Sequence, residues 1–465
     1  MASVTGSDAS GPWVDGWSTK AHVDHTRSAR HVRAPLRHRV TRVITVGVIV
    51  ASVTGCAAGF TGSESRSTTP RQPTEPREIL AVVPLVTEAG ARTISRLAST
   101  TGGNVAVAPA MLAAQLGMIR AGARTTTAAE IDQLFGPIND ASVPVFGDNL
   151  GAVGALDPLV ASRAGVQTSS TRRGAIEVAQ AVALWLQRGT DIDLDYLETL
   201  ARRFGTGIRT VDFRSDPETA RQAVNRWTAA ATDGQTEQLV ARGLIDTETR
   251  LLSSGAQWIS GPWLEPFDPE ATKDVPFVTD TGRSVTVPMM RVVAQTGLSW
   301  AEGEGWQAVE MPYLGRELAM VAIRTDPDDE RLITSELTGE FISTVLNGLS
   351  PRPLDVRLPR FSFTATPTLR AVLTDLGMGS AFATDLADLT GLAPAERLAL
   401  TQVIQELYLS ADESGSSARV ASATSPTPRP AAATSVTFDR QFLVLLIDRS
   451  TGLPLAMARV GDPSQ

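Results

Sequence analysis

The chain has 465 residues, 42% of them hydrophobic and 20% charged, with a formal net charge of −8. This is the profile of a globular protein with a large core, and it excludes a disordered chain or one with many membrane spans. All four histidines and the single cysteine, Cys56, lie within the first 56 residues. The remainder therefore has no Ser-His-Asp or Cys-His pair, no histidine or thiolate metal site and no intrachain disulfide. No metal and no cofactor is expected, and a binding or inhibitory role gains over an enzymatic one.

The N-terminus reads as an address. Residues 27–42 carry six arginines and no acid, and the thirteen residues from Val43 to Gly55 are uncharged. That run is short of the roughly 20 apolar residues needed to span a bilayer. A basic stretch, an apolar stretch and small residues before a cleavage point make a secretory signal over 1–55. Val53-Thr54-Gly55-Cys56 resembles the bacterial lipobox, which implies a lipidated Cys56 as the mature N-terminus. The chain is then exported and lipid-anchored on the outer face of the cell membrane, and the lipid is its only membrane contact. An ordinary signal peptide containing a cysteine is the alternative. Loss of residues 1–55 removes seven bases and three acids and leaves a net charge of −12, which argues against a nucleic-acid partner. Segment 56–78, rich in Ser, Thr, Pro and Gly, reads as the lipidated cysteine and a flexible tether.

From residue 79 to the C-terminus no second linker interrupts the pattern, so 79–465 reads as one domain. Pro109 suits a helix start, with Leu112, Leu116 and Ile119 on one face until Gly122. Thr127-Ala-Ala-Glu130 reads as a capping box for a second helix that Gly136 ends. Ile176 to Leu186 alternates like a strand, and Asp193 or Asp195 caps a helix closed by Gly205. The C-terminal third predicts strands over Leu354–Phe363, Leu398–Tyr408, Phe442–Ile447 and Leu453–Val460. The last two are joined by the hairpin loop Asp448–Gly452. Helices mostly early, strands mostly late and no βαβ rhythm predict an α+β fold.

One segment breaks the pattern. Residues 413–437 are small and polar, with Pro426, Pro428 and Pro430. A connection that long inside a compact domain is functional or a misread element. Ser416, Ala418, Val420, Ser422 and Thr424 alternate with Ser417, Arg419, Ala421 and Ala423, which is the pattern of a half-buried strand.

The motifs of the domain resemble those of the serpin family. They are Asn104-Val-Ala-Val-Ala-Pro109, Asn225-Arg-Trp227 with Thr232-Asp-Gly234, and Gly261-Pro-Trp263-Leu-Glu-Pro266-Phe267. Val287-Pro-Met289-Met290, Leu358-Pro-Arg-Phe361, Leu376-Gly-Met378 and Leu455-Ala-Met-Ala-Arg459-Val460 continue the series. The resemblance implies helices packed on a large mixed central sheet plus smaller sheets, with an exposed reactive loop near the C-terminus. It implies a monomer whose partner is a serine or cysteine endopeptidase. That protease cuts the loop, which then enters the central sheet as an extra strand before the acyl-enzyme is hydrolysed.

The resemblance also maps the loop. Glu413, Gly415, Ser416, Ser417 and Ala418 match the family's hinge, and counting from Glu413 places the attacked bond after Arg429. Pro430 makes that bond a poor one for trypsin-like enzymes, so Ala431 and Ala432 are the other candidates. Ala108, Met111, Gly255 and Gln405 match the place where the central strands part, where the family's polar lock is expected to be largely missing. Trp263 keeps the aromatic at the top of the opening. A hydrolase finds no G-x-S-x-G or Ser-x-x-Lys in the domain. A non-inhibitory serpin-like binding or structural protein keeps the fold without the loop chemistry.

Overall fold

The computed structural model describes residues 62–137, 144–163, 176–294, 296–416 and 433–465. Cys56 and the leader, and with them Ser417, Ala418, Arg429, Pro430, Ala431 and Ala432, lie outside these residues. No helix among the described residues is long and apolar enough to cross a membrane.

The first half is mostly helical. Strand β1 (Ser63–Ser65) precedes the long helix α1 (Pro76–Thr100), strand β2 (Val105–Val107) and helix α2 (Pro109–Gly122). Pro76 and Pro109 open their helices, where a missing N–H costs nothing. Helix α2 is apolar apart from Gln115 and Arg120, and all of it is buried except Arg120 and Ala121 near its end. Helices α3 (Thr125–Phe135), α4 (Leu150–Gly154) and α5 (Leu156–Ala161) follow, then strand β3 (Glu177–Gln187). Asp193 caps α6 (Leu194–Thr199) by accepting from the Tyr196 N–H at 3.0 Å. Gly205, at φ +68°, ends the turn that continues it. Strand β4 (Ile208–Val211) and helix α7 (Pro217–Ala231) complete this half.

Strands dominate the rest: β5 (Leu251–Pro262), β6 (Lys273–Val278), β7 (Ser284–Ala294), β8 (Ser299–Gly303), β9 (Trp306–Pro312) and β10 (Leu318–Thr325). After α8 (Gly339–Gly348) come β11 (Ser350–Pro351), β12 (Leu354–Pro359), β13 (Phe361–Ala365) and α9 (Arg370–Asp375). The chain closes with β14 (Leu400–Ala411), β15 (Gly415–Ser416), β16 (Thr434–Thr437), β17 (Phe442–Asp448) and β18 (Pro454–Val460).

Three sheets result among the described residues. The central one runs β1-β4-β3-β5-β14-β13, with β15 also paired to β5. A second runs β11-β8-β9-β10-β17-β18-β2, and a third β16-β12-β7-β6. The fold is α+β, as expected. In the central sheet β5 and β14 lie side by side and parallel, matching Val403 to Ser253 and Tyr408 to Trp258. Odd-numbered residues of β5 face α2 and the main core. Even-numbered ones face α7, where Leu252 joins a cluster with Trp185, Phe213 and Ala220.

Four expectations are corrected. Helix α3 starts at Thr125 with no side-chain cap, so Thr127 and Glu130 form no capping box. Thr127 Oγ1 instead pairs with Ser380 Oγ at 3.0 Å, and the Glu130 carboxylate accepts from the Ser380 N–H and hydroxyl. The strand expected over Leu354–Phe363 is two strands in two sheets, divided at Arg360. The strand expected over Leu398–Tyr408 runs on to Ala411. The tether expected over 56–78 is docked from residue 63. There β1 pairs antiparallel with β4, Glu64 accepts from the Gly207 N–H and Arg209, and the Gln72 N–H donates to the Arg202 carbonyl.

Candidate functional site

Strand β14 ends in a two-residue turn that sends the chain back along β5. Asp412 makes this turn: its N–H donates to the Gly415 carbonyl at 2.9 Å, and its carboxylate accepts from the Ser414 and Gly415 N–H groups. Gly415 and Ser416 then pair antiparallel with Pro262 and Gly261. A Cβ on residue 415 would sit 2.0 Å from the Gly261 carbonyl oxygen, so the close approach of two backbones demands glycine here.

The next element holds this turn by its backbone. Three successive carbonyls, of Asp412, Glu413 and Ser414, accept from Trp263 Nε1, the Phe267 N–H and the Trp263 N–H, each at 2.9 Å. Trp263 stacks on Tyr313, with ring centroids 4.6 Å apart. The Tyr313 hydroxyl donates to Ser416 Oγ at 2.6 Å, and Ser416 Oγ donates to the Ser410 carbonyl. Burial pushes the Tyr313 phenol up, so it stays a donor. Glu413 points away from the sheet and accepts from Arg360 at 2.5 Å and Thr272 at 2.7 Å. Burial alone would raise its carboxyl, but these bonds outweigh it and hold the group below its ordinary value.

Farther down, Ala108, Met111, Gly255 and Gln405 come together, and here the expected loss of a polar lock is corrected. Gln405 is fully buried on β14. Its side-chain oxygen accepts from the Ala108 N–H at 2.9 Å, and its amide donates to the Ala108 carbonyl and to Gln115 Oε1 at 3.0 Å. Gln115 Nε2 donates to the Ile404 carbonyl at 3.1 Å. Two glutamines thus tie β14 to α2, with every polar group in the contact satisfied. Gly255, paired with Gln405, leaves the space Met111 occupies; a Cβ there would meet Met111 Sδ at 2.3 Å. Trp263 stands apart from this cluster, just beyond the end of β5, with the turn after β14.

Sequence reasoning missed Gln115, Tyr313, Ser260 and Arg360. Gln115 carried a signal, being the polar residue in the middle of an otherwise apolar α2. Ser260 donates to the Ser416 carbonyl at 2.7 Å.

Residues 85–463 match the family model described as Serpin (serine protease inhibitor). An uncharacterised serpin-like protein of Thermococcus kodakarensis is 30% identical over 286 residues, 60% of this chain; the match spans 65% of that protein's length. Plasminogen activator inhibitor 1 of Neovison vison is 31% identical over 292 residues, 62% of this chain and 72% of its own. The human leukocyte elastase inhibitor is 26% identical over 374 residues, 78% of this chain and 93% of its own. Among solved structures, the thermophilic serpin tengpin in its native state superposes with a TM-score of 0.71 at 20% identity, covering 85% of this chain and 96% of that one.

Proposed function

The chain belongs to the serpin family, and from that premise we propose that it inhibits a serine endopeptidase by giving up its loop to cleavage and inserting it between β5 and β14. The observation that carries this reading is the hinge, whose residues 415 and 416 already stand in the register of an added strand. Extending the pairing of Ser416 with Gly261 sets residue 417 opposite Ser260, and so on until Pro426 meets Leu251 at the foot of β5. Extending the Asp412–Gly415 turn along β14 sets residue 419 opposite Tyr408 and residue 422 opposite Gln405. The two registers agree, because Tyr408 and Trp258 are already neighbours, as are Gln405 and Gly255.

Chemistry favours the move. The native contact between β5 and β14 is a single parallel ladder, whereas an entering strand makes two antiparallel ones. Core-facing positions of the entering strand are Ser416, Ala418, Val420, Ser422 and Thr424, all small or β-branched. Thr424 would lie beside Ser253, whose buried hydroxyl has no hydrogen-bond partner among the described residues. Pro426, without an N–H, falls opposite Leu251, where β5 begins. The Gln405–Gln115 lock supplies the barrier that delays insertion until the loop is cut.

The attacked bond is proposed within residues 429–432. Strand β16 pairs with β12 from Thr434 onward, which keeps the later residues out of a protease cleft. Arg429-Pro430 resists trypsin-like cleavage, so Ala431 and Ala432 favour an enzyme that takes small side chains. Cys56 is proposed as the lipid anchor on the outer face of the membrane, seven residues before β1. Incubation with trypsin-, elastase- and subtilisin-type proteases tests the reading: a denaturant-resistant covalent complex supports it. Cleavage by all of them with no complex favours the non-inhibitory binding protein.

A further inference from the structure

Helix α7 and the segment that follows it enclose a recess of about 460 Å³, within the size range of small-molecule sites. Arg221, Asn225 and Arg226 line it from the helix, and Glu237, Gln238 and Arg242 line it from the returning segment. Three guanidinium groups thus share one recess with a single carboxylate, in a chain whose formal net charge is −8. Arg221 is already engaged. Its Nε and Nη2 donate to the two oxygens of Glu218 at 2.8 and 2.7 Å, and its Nη1 donates to the Val240 carbonyl at 3.0 Å. Arg221, then Gln222, and Arg242 through its charge alone, hold the Glu218 carboxyl well below its ordinary value. Arg226 and Arg242 are exposed, and neither has a hydrogen bond or ion pair among the described residues.

The walls of the recess are fixed. Asn225 is buried and grips Val240 from both sides: its oxygen accepts from the Val240 N–H at 2.8 Å and its amide donates to the Val240 carbonyl at 3.1 Å. Thr232 Oγ1 accepts from the Thr236 N–H at 3.1 Å. The motif Asn225-Arg226-Trp227 therefore divides its work. Asn225 holds the returning segment, Trp227 packs edge-on against Trp185 at 5.5 Å, and Arg226 lines the recess. The same segment lies over the seam of the central sheet: Leu239 and Val240 share a buried cluster with Leu252 of β5 and Ile404 of β14, and Thr236 hydrogen-bonds to Glu406 of β14.

We propose that Arg226 and Arg242 bind a small multivalent oxyanion of the phosphate type, which joins α7 to segment 237–242. Each wall contributes one unengaged guanidinium, whose planar fork matches phosphate oxygens, and Gln238 adds a neutral donor. The two cations repel one another until an anion lies between them. Glu237 on the rim and the acidic surface of the whole chain disfavour a long polyanion and favour a compact ligand. A strand can enter between β5 and β14 only once the segment above them lets go, so a bound anion slows the proposed insertion. That consequence rests on the insertion reading; the binding does not.

Isothermal titration of the intact full-length protein with pyrophosphate at constant ionic strength tests the site. One pyrophosphate per chain is expected, with affinity reduced about tenfold or more in Arg226→Ala and in Arg242→Ala, and partly recovered in Arg226→Lys. Both side chains are exposed, so these variants keep the fold. Pyrophosphate is also expected to slow hydrogen exchange at the Thr236 and Val240 amides of the wild type and to leave the double variant unchanged. No saturable binding, or equal binding by the wild type and the double variant, would overturn the site. Binding without slower exchange at Val240 would overturn the joining of helix and segment. Neither failure touches the insertion reading, which is tested separately by the stability gained on loop cleavage.

Discussion

The Tyr313 hydroxyl and Ser416 Oγ lie 2.6 Å apart, joining the ring stacked under Trp263 to the first side chain after Gly415. The hinge is therefore held by a side chain as well as by its backbone. Tyr313→Phe removes one buried hydrogen bond, a loss of about 1 kcal/mol, and leaves Ser416 bonded to the Ser410 carbonyl. A native form unfolding about 1 °C lower, with the loop cut faster by a dilute protease, is the expected result.

Ser416→Arg puts a charge where 4% of the side chain is exposed. Unpaired burial there costs several kcal/mol, so residue 416 is driven out of its native pairing with Gly261 and insertion loses its starting point. The variant is expected to be cut like a substrate, and the ratio of cleaved to trapped protease measures the change. Trapping equal to that of the wild type contradicts an insertion that begins at Ser416.

Gln405→Leu leaves the buried N–H of Ala108 without its partner, at about 1–3 kcal/mol, and takes one of two donors from the Ala108 carbonyl, which keeps the Leu112 N–H. The native form is expected to lose inhibitory capacity on incubation as the uncut loop inserts prematurely. Residual trapping activity over hours at a moderately raised temperature follows this. Gln115→Leu acts in the same direction, because it strips one bond from Gln405 and one from the Ile404 carbonyl.

The Glu413 carboxyl is held below its ordinary value by Arg360 and Thr272 against the upward push of burial. A depressed carboxylate stabilises the native form fully above its unfolded pKa, near 4.3, and that stability is lost as pH falls through the folded value. Asp412 works the other way, since burial raises its carboxyl. Melting curves between pH 3 and 6 are expected to show a shallower acid loss for Glu413→Gln than for the wild type.

If Cys56 is lipidated, Cys56→Ala abolishes lipid labelling and releases the protein from membrane fractions. Retention of the variant in the membrane points instead to residues 43–55 as an uncleaved anchor.

Local signals were legible in the sequence. Pro109 starts α2, Asp193 caps α6, Gly205 ends the turn after it, and Asp448 closes the last hairpin by accepting from the Thr451 N–H. Each is decided by residues within a few positions of one another. What failed depended on distant partners. Thr127 has the look of a cap, but Ser380 lies 253 residues away and claims its hydroxyl. Arg360 divides two strands because its N–H is bound by the Pro288 carbonyl, which no local pattern announces. The lock was sought in a family pattern of residue types, while this chain builds it from Gln405 and Gln115, 290 positions apart. Tyr313 stands 103 residues from Ser416, with nothing in its own segment to mark it.

The central claim is that the cut loop becomes a strand of the central sheet, and thermal unfolding before and after loop cleavage tests it most directly. Replacing one parallel ladder by two antiparallel ones over some ten residues is worth on the order of 5–10 kcal/mol, enough to raise the midpoint of a domain this large by about 6–12 °C. The account predicts such a rise, with the C-terminal fragment still bound. An equal or lower midpoint after complete cleavage within residues 417–432 would contradict it.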